Sequence, residues 1–422
     1  MMYNTIDLNE WQNIFLKGVE LSDNDVRNTA QILKDKGIIE IVELKDGVSI
    51  TSNSYVGRIK LGSIQINVYP KLKGMPLYQL LRYAYGLRDL KLFNVAEHSI
   101  DNFSFFDLLI YELYVEADDL LRRGIQKSYI QRKEDLSSPR GRIDINKLCT
   151  QGGVIKDRLP CKYFNRDENS ILNKILLAGL KLGLRLVLDN ALKVKIQRLC
   201  ANLEENIDDI TLTRGSLQLG RNSINRLTGR YYAVLEIINI LYESQGIQLE
   251  DSSSHINLRG YFFDMNAFFE TLVGRLLENC SGGYFVKDQF SLHDMFIYTP
   301  GFNPCRRKSP TPRPDFALMK NGKVVKLLDA KYRDLWEKSL PREMLYQLGI
   351  YAVSGIGDKT ATILYPSINE DPTVQKIDIN DPISNSKMAS VILKPLNLIK
   401  IAELVSDERM NAELIRFIDI LL

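Results

Sequence analysis

The sequence predicts a multidomain α+β protein. It has an N-terminal β-rich module, a middle region of long, stalk-like helices and a C-terminal α/β domain. Three observations carry this. The 422 residues exceed what one hydrophobic core usually serves, so two or three domains are expected. After a short helix-like piece, the apolar pattern is strand-like from about residue 38 to 70, then helical through the middle, and mixed after about residue 260. The composition, 45% hydrophobic and 25% charged, is that of an ordinary globular protein with ample core. The expected divisions are 1–50, a small helix and hairpin module; 51–250, β-rich and then long-helical; and 251–422, the α/β domain.

The elements follow in order. SDNDVRNTAQILKDKGII begins with capping residues and ends at Gly37, as a helix does. IEIVELKDGVSITS reads as two strands around Lys45-Asp46-Gly47. From Tyr55, the apolar residues Ile59, Leu61, Ile64, Ile66 and Val68 alternate with polar ones, and Pro70 closes the run. From about Phe103 the period becomes helical and stops at Gly124. SSPRGRIDINKL reads as a turn and a short strand. Asp167 looks like the cap of one long helix from Glu168 to Leu203, and a further helix is expected over Ser223–Tyr242. SSSHINLRG has the composition of a linker. After it come helix NAFFETLVGRLLENC, strands DFALM and KVVKLLDA, helix PREMLYQLGIYAVSG and strand TATILYP.

The formal net charge of +3 does not by itself announce a polyanion. The distribution says more. Gly301–Arg342 holds eleven Lys/Arg against four Asp/Glu, and Leu120–Lys147 holds eight against three. Such patches suit contact with a polyanion at particular places, or are solvated faces. Five widely spaced cysteines without a CxxC pair, and only three histidines, exclude zinc-site spacing and fit buried free thiols in a reducing compartment. The start MMYNTIDLNEWQNIF lacks the basic and apolar runs of a signal peptide. ILNKILLAGLKLGLRLVL carries Lys174, Lys181 and Arg185, so it is a poor membrane span and a good buried helix. A cytoplasmic protein without a membrane partner is expected.

The chemistry concentrates in RPDFALMKNGKVVKLLDAKY. Asn321-Gly322 is a strong two-residue hairpin signal, pairing DFALMK with KVVKLLDAK. A hairpin brings the start of its first strand next to the end of its second. Positions 329 and 331 project from one face of a strand. Asp315, Asp329 and Lys331 therefore converge at one sheet end. Two carboxylates plus a main-chain carbonyl, such as that of Ala330, make an oxygen site for a hard divalent cation: Mg²⁺, with Mn²⁺ able to substitute. Lys331 is then placed to orient or deprotonate a water, or to hold a phosphate. Gln347 and Tyr351 share a face of the following helix, and Glu270 lies on the preceding one. The alternative is that the acids are turn and strand-end residues paired with Arg313 and Lys331, that Glu270 faces solvent, and that Tyr351 packs on the sheet.

This segment resembles the PD-(D/E)xK nucleases. More widely, FDMNAFFETLV, RPDFAL and LLDAKY, together with VGRIKLGSIQINVYPKL, LLRRGIQKSYI, SSPRGRIDI and RDENSILNKIL, resemble the McrC family. These are nuclease subunits of 5-methylcytosine-dependent restriction systems. The likeness runs from about Tyr55 onward. It implies a restriction-endonuclease-like C-terminal domain, with Asp315 and Asp329 as metal carboxylates, Lys331 as catalytic lysine and Glu270 as accessory acid. It implies Mg²⁺-dependent cleavage of double-stranded, base-modified DNA. It also implies docking on an McrB-like AAA+ GTPase ring whose nucleotide hydrolysis this chain stimulates. No GxxxxGK[ST] phosphate loop is present, so the chain is not expected to bind nucleotide itself. Arg122, Arg123, Arg140 and Arg142 are candidates for partner or DNA contact, or are solvated; Arg140-Gly141-Arg142 equally suits a structural turn. The competing functions are a non-cleaving adaptor that only stimulates the ring, and a free-standing repair nuclease.

Overall fold

The computed structural model describes residues 4–421 apart from 22, 63, 88–104, 151–156, 245–259, 281–282 and 370–371. The chain divides into two compact units. One joins Met1–Phe105 with Ile247–Leu422; the other is Phe106–Gly246. This differs from three consecutive domains at 1–50, 51–250 and 251–422, because the N-terminal residues fold with the C-terminal ones. The expected linker SSSHINLRG lies, but for its last residue, outside the described residues.

The first unit begins with β1 (Asn4–Asn9), β2 (Asn13–Lys17), α1 (Asn24–Asp35), β3 (Ile39–Leu44), β4 (Gly47–Ser52), β5 (Tyr55–Leu61), β6 (Ile64–Tyr69) and α2 (Gly74–Tyr85). The expected hairpin β3–β4 and alternating pair β5–β6 are present. One sheet has the order β2-β4-β3. In the other, β1 pairs β6 in parallel. Ile6, Leu8, Leu33, Ile39, Ile50, Ile59 and Ile66 share one buried cluster, so the first fifty residues have no separate core. Burial of such side chains contributes roughly 1.5–3 kcal/mol each.

The second unit contains α3 (Phe105–Arg123, from the last residue of the first unit), β7 (Ser128–Leu136), β8 (Arg142–Ile143), α4 (Ile145–Thr150), β9 (Leu159–Asp167), α5 (Ile171–Leu186), α6 (Asn190–Glu204), α7 (Arg214–Asn222) and α8 (Tyr232–Ser244). Its antiparallel sheet has the order β7-β9-β8. The single long helix expected over 168–203 is instead two, α5 and α6. Ser170, not Asp167, caps the first, accepting from the Asn173 amide at 3.4 Å. Asp189 caps the second, accepting from the Leu192 amide at 2.6 Å. At the break, Asp107 Oδ1 accepts the amide of Leu188 at 2.8 Å, so a buried carboxylate takes a donor that continued helix would have used. Likewise the helix expected over 223–242 begins only at Tyr232, after a separate α7. Lys174, Lys181 and Arg185 lie on one polar stripe of an otherwise buried α5, with Lys181 at 2.8 Å from both Glu204 and Asp209. Among the described residues, no helix is long and apolar enough to cross a membrane.

The chain then returns to the first unit with β10 (Gly260–Asp264), α9 (Met265–Cys280), β11 (Phe285–Asp288), β12 (Phe316–Lys320), β13 (Lys323–Ala330), α10 (Arg342–Val353), β14 (Thr360–Ser367), β15 (Gln375–Asn380), β16 (Lys387–Asn397), α11 (Leu398–Ser406) and α12 (Asn411–Leu421). β10 extends the sheet of β1, β6 and β5 by pairing with β5. A Cβ at Gly57, whose φ is +151°, would lie 1.9 Å from the Tyr261 carbonyl oxygen, so this close approach requires glycine. The main sheet has the order β11-β12-β13-β14-β16-β15. β13 and β14 are parallel, joined through α10. Cys161 and Cys200 are buried, but Cys149 and Cys305 are exposed, which corrects the expectation of uniformly buried thiols.

Candidate active site

The Asn-Gly turn forms as its sequence predicts: Asn321 has φ 53° and Gly322 φ 76°, the left-handed pair of a tight hairpin. The register Phe316↔Leu328 carries Asp315 to the level of Asp329. Asp315 Oδ2 accepts the Ala330 amide at 2.9 Å. Lys331 Nζ lies 3.0 Å from Asp329 Oδ2 and 3.5 Å from Asp315 Oδ2. The three residues singled out from the sequence thus meet at one end of the main sheet, in the layout the hairpin argument requires.

Their electrostatics are unbalanced. Asp329 is 1% exposed, and its Oδ1 is buried without a hydrogen-bond partner. Burial first, and then the Asp315 charge, push its carboxyl up to about 7 against the pull of Lys331. Burial by itself would lower Lys331, but Asp329 and Asp315 outweigh it and hold the ammonium above its usual range. Glu270, on α9, is also raised, by burial and then by Asp315; a hydrogen bond from Gln289 opposes this. Asp329 and Asp315 thus flank the Lys331 ammonium, and Glu270 feels the charge of both Asp315 and Lys331.

That setting suits a hard cation. The donors are all oxygen, and one buried carboxylate oxygen is orphaned. Asp315 and Asp329 stand as a pair on either side of Lys331; among the described residues, no group of three or more His, Cys, Asp or Glu side chains is gathered in a metal-holding cluster. Mg²⁺, which binds through one or two carboxylates and keeps its waters, is compatible with such a pair. Ala330 contributes its N–H to Asp315.

The flanking residues are placed as follows. Gln347 Nε2 donates to the Tyr351 hydroxyl at 2.7 Å, one helical turn apart on α10. Tyr351 is buried, and burial chiefly, with Asp329 and Asp315 adding to it, raises its hydroxyl. The four arginines belong to the second unit. Arg122 and Arg123 pair within α3, with Asp118 at 2.7 Å and Asp119 at 2.8 Å. Arg140 stacks 4.6 Å from the Tyr163 ring centre. Arg142 is exposed on β8, opposite Lys162.

Two residues escaped the sequence reading. Gln289 donates through Nε2 to Glu270 at 2.6 Å and through its amide to the Asp315 carbonyl at 2.7 Å. Its φ of 49° is uncommon for a non-glycine residue. Glu10 is the second. Tyr332, next to Lys331, is buried and donates to Glu10 Oε2 at 3.0 Å, while the Lys71 amide donates to the same oxygen at 3.3 Å. A contact spanning some three hundred residues has no local signal; the positive φ of Gln289 has none either, since that position follows an ordinary strand.

Burial pushes the Glu10 carboxyl up to about 7, against the Lys71 amide, the Tyr332 hydroxyl and the Lys71 charge. The unfolded chain releases this proton near its ordinary value of about 4.3. Between those values the folded state holds a proton that the unfolded state has lost, so this group's contribution to stability falls as pH rises through the window. Glu10→Gln is therefore expected to stabilise the fold by about 1–3 kcal/mol at pH 8 and by little at pH 4, in denaturant titrations at both values. An equal change at both would contradict the buried-carboxylate account.

Fold and site together define a mixed α/β protein whose largest sheet carries a carboxylate–carboxylate–lysine cluster at its strand ends. The family model for the McrBC 5-methylcytosine restriction system component matches residues 50–366, and the chain belongs to that family. No curated protein sequence matches the chain. Among solved structures, one is the refined half-complex from a tetradecameric assembly of Thermococcus gammatolerans McrB AAA+ hexamers with bound McrC. It aligns with a TM-score of 0.65 and 18% identity over 99% of this chain and 100% of that one, a likeness of fold. The cryo-EM structure of the Thermococcus gammatolerans McrBC complex aligns with a TM-score of 0.45 and 17% identity, over 67% of this chain and 89% of that one.

Proposed function

We propose that this chain is the nuclease subunit of an McrBC-type, modification-dependent restriction system, with a PD-(D/E)xK catalytic domain, working on an McrB-like AAA+ GTPase ring. The observation that carries the reading is the convergence of Asp315, Asp329 and Lys331 around an orphaned, buried carboxylate oxygen. A dead scaffold gains nothing from burying two acids together, since their mutual repulsion costs stability. Family membership and a whole-chain likeness to a complex of McrB hexamers with bound McrC support the assignment to a ring-bound subunit.

Asp315 and Asp329 are the residues that would hold Mg²⁺, with the Ala330 carbonyl as the third oxygen. When bound there, the ion supplies Lewis-acid stabilisation of the charge growing on the phosphate. Lys331, kept protonated by the two acids, donates to the phosphate or to the attacking water rather than taking a proton. Glu270, whose proton affinity burial and Asp315 raise, is the carboxylate assigned to receive the proton of that water. Gln289 orients Glu270. Gln347 and Tyr351 form the α10 side of the site.

The test is cleavage of methylated plasmid DNA in Mg²⁺, with and without the AAA+ partner and GTP, by wild type and Asp329→Ala. Cleavage that needs partner and GTP and disappears in the variant is expected. Partner-independent cleavage would favour a free-standing enzyme. Stimulated GTP hydrolysis with no cleavage by wild type would make the chain an adaptor.

A further inference from the structure

Between β11 and β12, the residues 293–313 stand beside the site and have no part in the chemistry above. The base of this loop is fastened to the catalytic residues. Gln289 bonds both Glu270 and the Asp315 carbonyl. Arg313 Nε donates to the Gln289 carbonyl at 3.1 Å, and the Leu292 amide to the Pro312 carbonyl at 2.9 Å. Leu292 is buried, and Phe290 and Met295 pack on the same core. Beyond Met295 the chain turns outward. Ile297 is 70% and Phe302 78% exposed.

The far end of the loop is ordered by its own bonds. The Arg307 amide donates to Asn303 Oδ1 at 2.9 Å, and Asn303 Nδ2 donates to the Arg307 carbonyl at 2.8 Å. The Phe302 amide donates to the Thr299 carbonyl at 3.0 Å. This turn holds out Arg306, Arg307 and Lys308, all exposed. Among the described residues none of the three has an ion-pair partner. From His293 to Arg313 four Arg/Lys stand against one acid, Asp294.

We propose that residues 293–313 form a DNA-gripping loop beside the scissile bond. Arg306, Arg307 and Lys308 contact backbone phosphates, while Ile297 and Phe302 lie against sugar and base surface. Uncompensated cations beside exposed apolar groups match a polyanion with apolar faces. A protein partner would have to bring its own acids to the same place. The rigid base matters as much as the tip, because it links the grip on the duplex to the position of Glu270 and Asp315. The assignment rests on the reading that this chain acts on DNA.

The experiment is fluorescence anisotropy of a labelled duplex with the full chain, without divalent cation, across a salt series. Combined Arg306→Ala, Arg307→Ala and Lys308→Ala is expected to weaken binding by about 10–100-fold at low salt. The slope of log K against log salt should become shallower by about 2–3, with the three corresponding Lys/Arg exchanges restoring it. Ile297→Ser with Phe302→Ser should weaken binding by about 10-fold at every salt concentration with the slope unchanged. All five side chains are exposed, so unaltered melting curves are expected. Unchanged affinity and slope in the triple variant, or no binding by wild type at low salt, would overturn the proposal. So would loss of ring binding with DNA affinity intact, which would make the loop a protein-docking element. If Asp329→Ala still cuts in Mg²⁺ while the loop variants lose binding as described, the catalytic reading fails and the loop assignment stands.

Discussion

Lys331→Met is expected to slow DNA cleavage by about 100–1,000-fold and to destabilise the metal-free protein by about 2–4 kcal/mol. The two effects share one cause. Lys331 is the ammonium at 3.0 Å from Asp329 and 3.5 Å from Asp315. Without it, the ammonium that balances two buried acids is gone, and keeping both ionised at the hairpin end becomes costlier. Methionine keeps the length and apolar stem of lysine, so packing is nearly conserved and the loss is chiefly electrostatic. A divalent cation would replace the missing charge. Mg²⁺ should therefore raise the melting temperature of the variant more than that of wild type, by an amount that grows with its concentration. Single-turnover cleavage and melting curves over a Mg²⁺ series read both effects. Melting temperatures indifferent to Mg²⁺ in both proteins would count against a cation site between Asp315 and Asp329.

The second large effect is expected far from any chemistry. Asn173, fully buried in α5, joins three segments of the second unit. Its Nδ2 donates to the carbonyls of Gln126 at 2.9 Å and Glu168 at 2.7 Å, and its Oδ1 accepts from the Tyr231 hydroxyl at 2.6 Å. Tyr231, 0% exposed, in turn accepts the Gln126 amide at 2.8 Å. Asn173→Ala strands two carbonyls and a hydroxyl in a dry interior, each costing about 1–3 kcal/mol. A total loss of about 3–5 kcal/mol is expected, or roughly 10 °C in the melting of that unit. Tyr231→Phe should cost about 1–2 kcal/mol, since one amide loses its acceptor. Calorimetry of the two variants would check the order; equal, small losses would show that water satisfies the network. Asn173 lies within RDENSILNKIL, one of the segments carrying the family resemblance, and its role is to hold the fold.

The candidate site was legible because its parts are close in sequence. A hairpin needs only a turn that tolerates two left-handed residues, and Asn321-Gly322 announces one. Once the turn is placed, strand geometry brings Asp315, Asp329 and Lys331 together without reference to the rest of the chain. The β3–β4 hairpin and the helices α9 and α10 were readable for the same reason: their periodicity and end signals are local.

What the tertiary structure decided is non-local. No periodicity reports that β1 lies beside β6, that β10 pairs with β5, or that Met1–Phe105 folds with Ile247–Leu422. The break between α5 and α6 depends on Asp107, which offers its carboxylate to Leu188 from eighty residues away and so outweighs the continuous helical pattern. Gln289 and Glu10 joined the site's surroundings through backbone conformation and burial, neither of which is written in residue spacing. The sequence determined the chemistry, because reactive groups must be covalently near their turn to be placed by it. The surroundings that shift those groups' charges were left to the fold, because desolvation depends on which distant segments cover them.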